Sequence, residues 1–138
     1  MRWLRLFKKL PKSPNPPVTL TKKEVGAYGE ELARKYLEKN GYRVLETNYR
    51  CPLGEIDIVA LHKKELVFIE VRTKSGTSFG SPEESVTRAK KEKLASLAYY
   101  YLQHHSRLPS SWRIDMVPVE LDGEGKVKRI EIIENALA

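Results

Sequence analysis

The sequence predicts an α/β domain, and three observations predict it. Apolar residues recur at helical spacing near 25–37 and 86–102; five other stretches, 42–50, 55–61, 66–73, 112–119 and 127–133, read as short strands; and turn residues separate them. At 138 residues the chain is long enough to bury about two-thirds of its unfolded surface around one core.

Thr21 and Glu24 fit the T-x-x-E capping box, whose side chains satisfy N–H groups left unpaired at a helix start. Val25, Tyr28, Gly29, Leu32, Ala33, Tyr36 and Leu37 then form one stripe with Glu30 on its border, and Asn40-Gly41 supplies a left-handed stop. Gly26 and Gly29 are poor helix formers, so they point to close approach of a neighbour or ligand. The three strands from 42 to 73 are expected as an antiparallel meander, with loops at 51–54 and around Lys63-Lys64. Ser81-Pro82-Glu83-Glu84 reads as a second helix start, and Val86, Leu94, Leu97, Ala98, Tyr101 and Leu102 lie on one face of that helix, together with Lys90. A turn over 122–125 separates the last two strands.

Charge is distributed unevenly. The net charge is +7, yet residues 1–25 hold seven Lys or Arg against the single acid Glu24, so the body is nearly neutral. Residues 1–20 are expected as a basic, proline-containing arm outside a single domain at 21–138. On the body, basic side chains cluster between Arg72 and Lys93, including Lys74, Arg88, Lys90 and Lys91, which points to a polyanionic partner. No apolar run approaches the ~20 residues of a membrane span. A lone Cys51 and the absence of a secretory signal lead to the expectation of a cytoplasmic protein without stable membrane insertion.

The hairpin carries the chemistry. If Lys63 and Lys64 are its central turn residues, paired residue numbers sum to 127, so Asp57 faces Glu70 and Glu55 faces Arg72. Strand alternation then puts Glu55, Asp57, Glu70 and Arg72 on one face, and Ile56, Ile58, Val67, Ile69 and Val71 on the other. Opposed carboxylates repel unless a cation lies between them or one is protonated. Mg²⁺, which favours oxygen ligands and is commonly held by one or two carboxylates, is an economical solution. Spacing alone leaves a second reading open, in which Glu55 pairs with Arg72, Asp57 ends the buried part of its strand and Glu70 reaches a backbone N–H or a helix start.

Other chemistries have weaker support. Motifs for zinc proteases, redox dithiols, P-loops and nucleophilic serines are missing from the sequence. His62 is expected at a solvated turn, His104-His105 at a helix end capping carbonyls, and Tyr99 to Tyr101 packed on the sheet. Asp115 is left undecided.

GEID (54–57) followed by VFIEVRTK (67–74) resembles the D…E-x-K core of restriction-endonuclease-like and Holliday-junction-resolvase-like nucleases. GAYGEELARKYLEKNGYRVLETNYR, GEIDIVA, LVFIEVRTK and SVTRAKKEKL, in that order, are similar to the YraN family of predicted nucleases over about residues 21 to 120. The resemblance implies a restriction-endonuclease-like mixed central β-sheet flanked by α-helices and a metal-dependent endonuclease acting on DNA, with Mg²⁺ or Mn²⁺ as cofactor. It implies Asp57 and Glu70 as metal-binding acids, Glu30 as the acid supplied by the first helix, and Arg72 at the third motif position. Glu55 stands as ligand or ion-pair partner, and Lys74, Arg88, Lys90 and Lys93 as contacts for nucleic acid. Lysine is usual in the wider nuclease pattern where this chain has Arg72, and a guanidinium stays protonated, so Arg72 orients phosphate rather than acting as a base. A homodimer is expected by analogy with enzymes that cut two strands, and a non-catalytic nucleic-acid-binding module on the same fold is the alternative.

Overall fold

The computed structural model describes residues 20–76 and 80–137, so the expected N-terminal arm lies outside the described residues apart from Leu20. The elements run α1 (Lys22–Lys39), β1 (Arg43–Cys51), β2 (Gly54–His62), β3 (Glu65–Ser75), a short 3-10 turn (Pro82–Ser85), α2 (Arg88–His104), β4 (Trp112–Leu121) and β5 (Val127–Ile130). The strands form one sheet in the order β1-β2-β3-β4-β5. The first two pairings are antiparallel, β3–β4 is parallel and β4–β5 is antiparallel. Two helices on a mixed sheet give the α/β architecture expected from the sequence, compatible with a restriction-endonuclease-like fold.

Local chemistry explains the boundaries. The capping box at Thr21 is formed in both directions with Glu24. At the other end of α1 the chain turns left-handed at Gly41 (φ 89°), and the Tyr42 N–H returns to the Leu37 carbonyl at 3.0 Å. Lys63 and Lys64 both take positive φ, 49° and 66°, as a two-residue hairpin turn requires.

The second helix begins later than its sequence signal implies. Pro82 opens only the 3-10 turn; buried Val86 is extended (φ −92°, ψ 95°), and α2 starts after Thr87, whose hydroxyl accepts the Lys90 N–H at 3.3 Å. Burial of Val86 thus takes precedence over helix continuation. The last strand is also shorter than expected, ending at Ile130, although Ile133 rejoins Met116 of β4 in an isolated bridge.

β3 lies at the centre of the sheet with Leu66, Val67, Phe68, Ile69 and Val71 all buried, the near-continuous apolar run of a strand covered on both faces. Beneath α1, Ala33 and Leu37 pack with Ile58, Ala60, Val67, Ile69, Val71, Val117 and Val119. Beneath α2, Leu97, Ala98 and Tyr101 pack with Ile56, Val59, Leu66, Phe68 and Ile114. Each large side chain so buried contributes about 1.5–3 kcal/mol. Among the described residues no helix is long and apolar enough to cross a membrane.

Candidate metal centre

The β2–β3 ladder follows the expected register from His62–Glu65 to Ile58–Ile69, and its paired residues end there. Beyond that point the Asp57 side chain takes over: its Oδ2 accepts the Val71 N–H at 2.8 Å. A carboxylate therefore stands where the next backbone rung would be. Alternation also breaks at Asp57, because Ile56 joins Val59 and Phe68 under α2 while Ile58 packs under α1. The expectation that Ile56 and Ile58 share a face is thus corrected, since substitution of a side chain for a rung shifts the pleat.

This fork gathers acids from separate elements. Glu30 of α1 and Glu55 and Asp57 of β2 each present a carboxylate oxygen within 4.8 Å of the others, a spacing that can hold a metal ion. Glu30 reaches the site because Gly29 lets α1 sit against β3: a Cβ at Gly29 would lie 2.8 Å from Thr73 Cβ. Gly26 has no such neighbour and instead lines the adjoining cleft. Three carboxylates at this separation form an all-oxygen donor set suited to a hard divalent cation.

Glu70 completes the acid group from β3, where it is the one charged residue in the apolar run from Leu66 to Val71. Arg72 pairs with it, Nη2 to Oε2 at 2.9 Å. The expected Glu55–Arg72 pair is not formed; Glu55 instead meets the Arg50 guanidinium at 3.4 Å. Once the two strands part at Asp57, cross-strand register no longer determines which charges meet. Burial, and then the charge of Asp57, push the Glu30 and Glu70 carboxyls up to about 8. Arg72 and Lys90 act against that rise at Glu70 without overcoming it.

Asn48 was not singled out by sequence reasoning. It lies in β1 between the Thr47–Ile58 and Tyr49–Ile56 pairs, opposite Asp57, with φ 53°. With its amide nitrogen turned toward the acids, it donates to Glu55 Oε1 at 2.7 Å and to Glu30 Oε2 at 3.1 Å. The available signal was an asparagine inside a strand, a position that residue type disfavours.

Three clefts meet at the acids. The largest, about 850 Å³, is lined by Lys22, Gly26, Glu30, Asp57, Glu70 and Lys74 among others. A second, about 480 Å³, shares Glu30 and Asp57 with the first and is otherwise lined by Asn48, Glu31, Arg34 and Glu46 among others. A third, about 280 Å³, joins Glu55, Glu70 and Arg72 to Lys90 and Lys93 of α2. Lys93 lies across Gly54, its Cε only 3.2 Å from where a Cβ would stand. Lys74, Lys90 and Lys93 thus border the site, whereas Arg88 is highly exposed, pairs with Glu92 along the helix at 3.5 Å and lines none of these three clefts.

Two other sequence readings are resolved away from the site. His62 is buried rather than solvated, stacked on Tyr42 with ring centroids 3.9 Å apart and 2.6 Å from Arg113 Nη2. Asp115 is fully buried, accepting from Arg113 (2.9 Å), Tyr42 (2.7 Å) and the Asn135 N–H (2.9 Å), so it ties β4 to the residue that leads into β1 and to the C-terminal segment. His104 and His105 meet the Tyr100 and Tyr101 carbonyls at 2.8 Å, as expected of helix-end histidines.

Comparison with known proteins gives a consistent kinship. The model of a family described as "Uncharacterised protein family UPF0102" matches residues 29–119, a span that contains the acids and Arg72. A UPF0102 protein of Moorella thermoacetica is 49% identical over 119 residues, covering 86% of this chain and 99% of the relative. Similar proteins in Pelotomaculum thermopropionicum and Caldicellulosiruptor bescii are 45% and 43% identical, each over 83% of this chain.

Proposed function

Given that the chain belongs to UPF0102, the YraN family, we propose from its site that it is a metal-dependent endonuclease acting on DNA. The observation that carries this reading is the convergence of Glu30, Glu55 and Asp57 within 4.8 Å at the β2–β3 fork, beside Glu70 and Arg72. Glu30, Glu55 and Asp57 would hold the ion, with Glu70, also expected as a metal-binding acid, beside them and paired with Arg72. Mg²⁺ or Mn²⁺ bound there would neutralise phosphate charge and lower the pKa of a coordinated water, the chemistry that phosphodiester hydrolysis needs.

The protein's own groups divide the remaining work. Arg72 keeps its positive charge at any working pH, so it serves to orient phosphate and stabilise developing charge. Lys90 and Lys93 on one side of the acids and Lys74 on the other provide cations for the flanking backbone. In the second cleft Arg34 is paired with Glu31 and Glu46 adds a further acid, so nucleic acid is expected along the α2 side and the largest cleft, where Lys90, Lys93 and Lys74 stand.

The test is incubation of purified protein with single-stranded, duplex, flap and four-way-junction DNA in Mg²⁺ or Mn²⁺, with Glu70→Ala as control. Cleavage that the control lacks supports the reading. Binding without cleavage across the panel would replace it with a non-catalytic nucleic-acid-binding module, which the Arg72–Glu70 ion pair and the missing lysine at that position favour.

A further inference from the structure

We infer that Asn48 is a positioning residue for the metal-binding acids, an inference that rests on the metal reading above. Its amide holds Glu30 and Glu55 at a common spacing, so that their other oxygens and one from Asp57 face a single divalent cation.

The backbone supports this role. Among the described residues, five other than glycine take positive φ: Asn48, Lys63, Lys64, Arg107 and Asn135. Only Asn48 lies inside a strand; Lys63 and Lys64 form the hairpin turn, and the other two lie outside helices and strands. A left-handed residue in a β ladder is costly unless surrounding contacts impose it, and such residues concentrate at functional sites. Here the left-handed turn places the Asn48 amide beside both acids, so that its nitrogen, turned toward them, lies 2.7 Å from Glu55 Oε1 and 3.1 Å from Glu30 Oε2.

The side-chain chemistry suits the task. The two acids belong to α1 and β2, whose approach is set by packing at Gly29, and the Asn48 amide adds a direct side-chain link between their carboxylates. An amide has two donors and no charge. It can bind one oxygen of each carboxylate and leave the second oxygen of each free, whereas a lysine or arginine in its place would compete with the incoming cation. Glu55 Oε2 faces the exposed Arg50 at 3.4 Å, a contact on the solvent side that water weakens. Asp57 is fixed independently through the Val71 N–H. Each acid is therefore oriented by a neutral donor, which is the role outer partners play around metal ligands.

The experiment titrates the full chain with Mn²⁺ by calorimetry, comparing wild type with Asn48→Gly, and records the metal-free melting temperature of both. Glycine accepts the left-handed backbone and removes only the amide. Mn²⁺ affinity is expected to fall about 10-fold or more, while the melting temperature stays close to wild type. Unchanged affinity would overturn the inference and leave the metal site standing. A crystal structure of the variant with Glu30 and Glu55 at their original separation would overturn it as well. Wild type that takes up no Mn²⁺ at millimolar concentration removes the metal reading itself, and this inference with it.

Discussion

Replacing Gly29 by alanine adds one methyl group at the contact that brings Glu30 into the site. Its Cβ would lie 2.8 Å from Thr73 Cβ and 2.9 Å from Thr73 Cγ2, with Oγ1 nearer still. Carbon contacts relax at about 3.5–4.0 Å, so α1 has to retreat from β3 by roughly 1 Å or Thr73 has to be displaced. Overpacking of this kind costs about 1–3 kcal/mol, offset in part by the roughly 1 kcal/mol by which alanine surpasses glycine in a helix. Gly26→Ala, one turn earlier, meets nothing within 4 Å and receives only that helical benefit. The two variants, chemically identical and three residues apart, share the helical gain, so they should differ by the overpacking cost alone, about 1–3 kcal/mol, with Gly26→Ala the more stable. Urea unfolding monitored by circular dichroism measures the gap. Gly29→Ala should also bind Mn²⁺ more weakly, because Glu30 moves with the helix. Equal stability of the two variants, or wild-type Mn²⁺ affinity in Gly29→Ala, would refute the reasoning.

Protonation of the acids makes stability depend on pH. The Glu30 and Glu70 carboxyls sit near 8 in the folded chain against an ordinary 4.5, so the folded state retains protons that the unfolded state releases. Their stabilising contribution is complete below pH 4.5 and is lost as pH rises toward about 8. Glu70→Gln removes one of these groups, so its metal-free stability should gain on wild type across that window; parallel urea midpoints for the two proteins would contradict this. Away from the site, Asp115→Ala leaves Arg113 with Glu65 as its remaining acid, at 2.8 Å, and frees the Tyr42 hydroxyl and the Asn135 N–H, and is expected to cost about 2–4 kcal/mol without altering Mn²⁺ affinity. A loss under about 1 kcal/mol in equilibrium unfolding would show that the network is worth no more than a surface ion pair.

The candidate site was legible where it depended on neighbours in the chain. Lys63-Lys64 defines a two-residue turn, the turn defines the register, and the register brings Asp57 and Glu70 together because pairing numbers propagate along a ladder. Propagation ends where a side chain intervenes. When Asp57 takes the Val71 N–H, the strands part, Ile56 changes face and Glu55 and Arg72 acquire other partners. Asn48 went unnoticed for a related reason: its significance lies in a left-handed turn and in contacts to two other elements, and neither leaves a periodic mark in the sequence. His62 was misread because its hairpin position is visible locally, whereas the Tyr42 ring and Arg113 that cover it come from β1's leading edge and from β4.

By itself the sequence determined the element types, the α1 cap, the hairpin turn and the presence of acidic residues in apolar strands, since each follows from bonding and periodicity within a few residues. Only the tertiary structure decided that α1 approaches β3 at Gly29, that β2 and β3 fork at Asp57, and that Glu30, Glu55 and Asp57 share one small volume, with the Asn48 amide beside the first two. These features arise from packing of segments distant in the chain, where the fit of one side chain against another element, rather than local propensity, determines which charges meet.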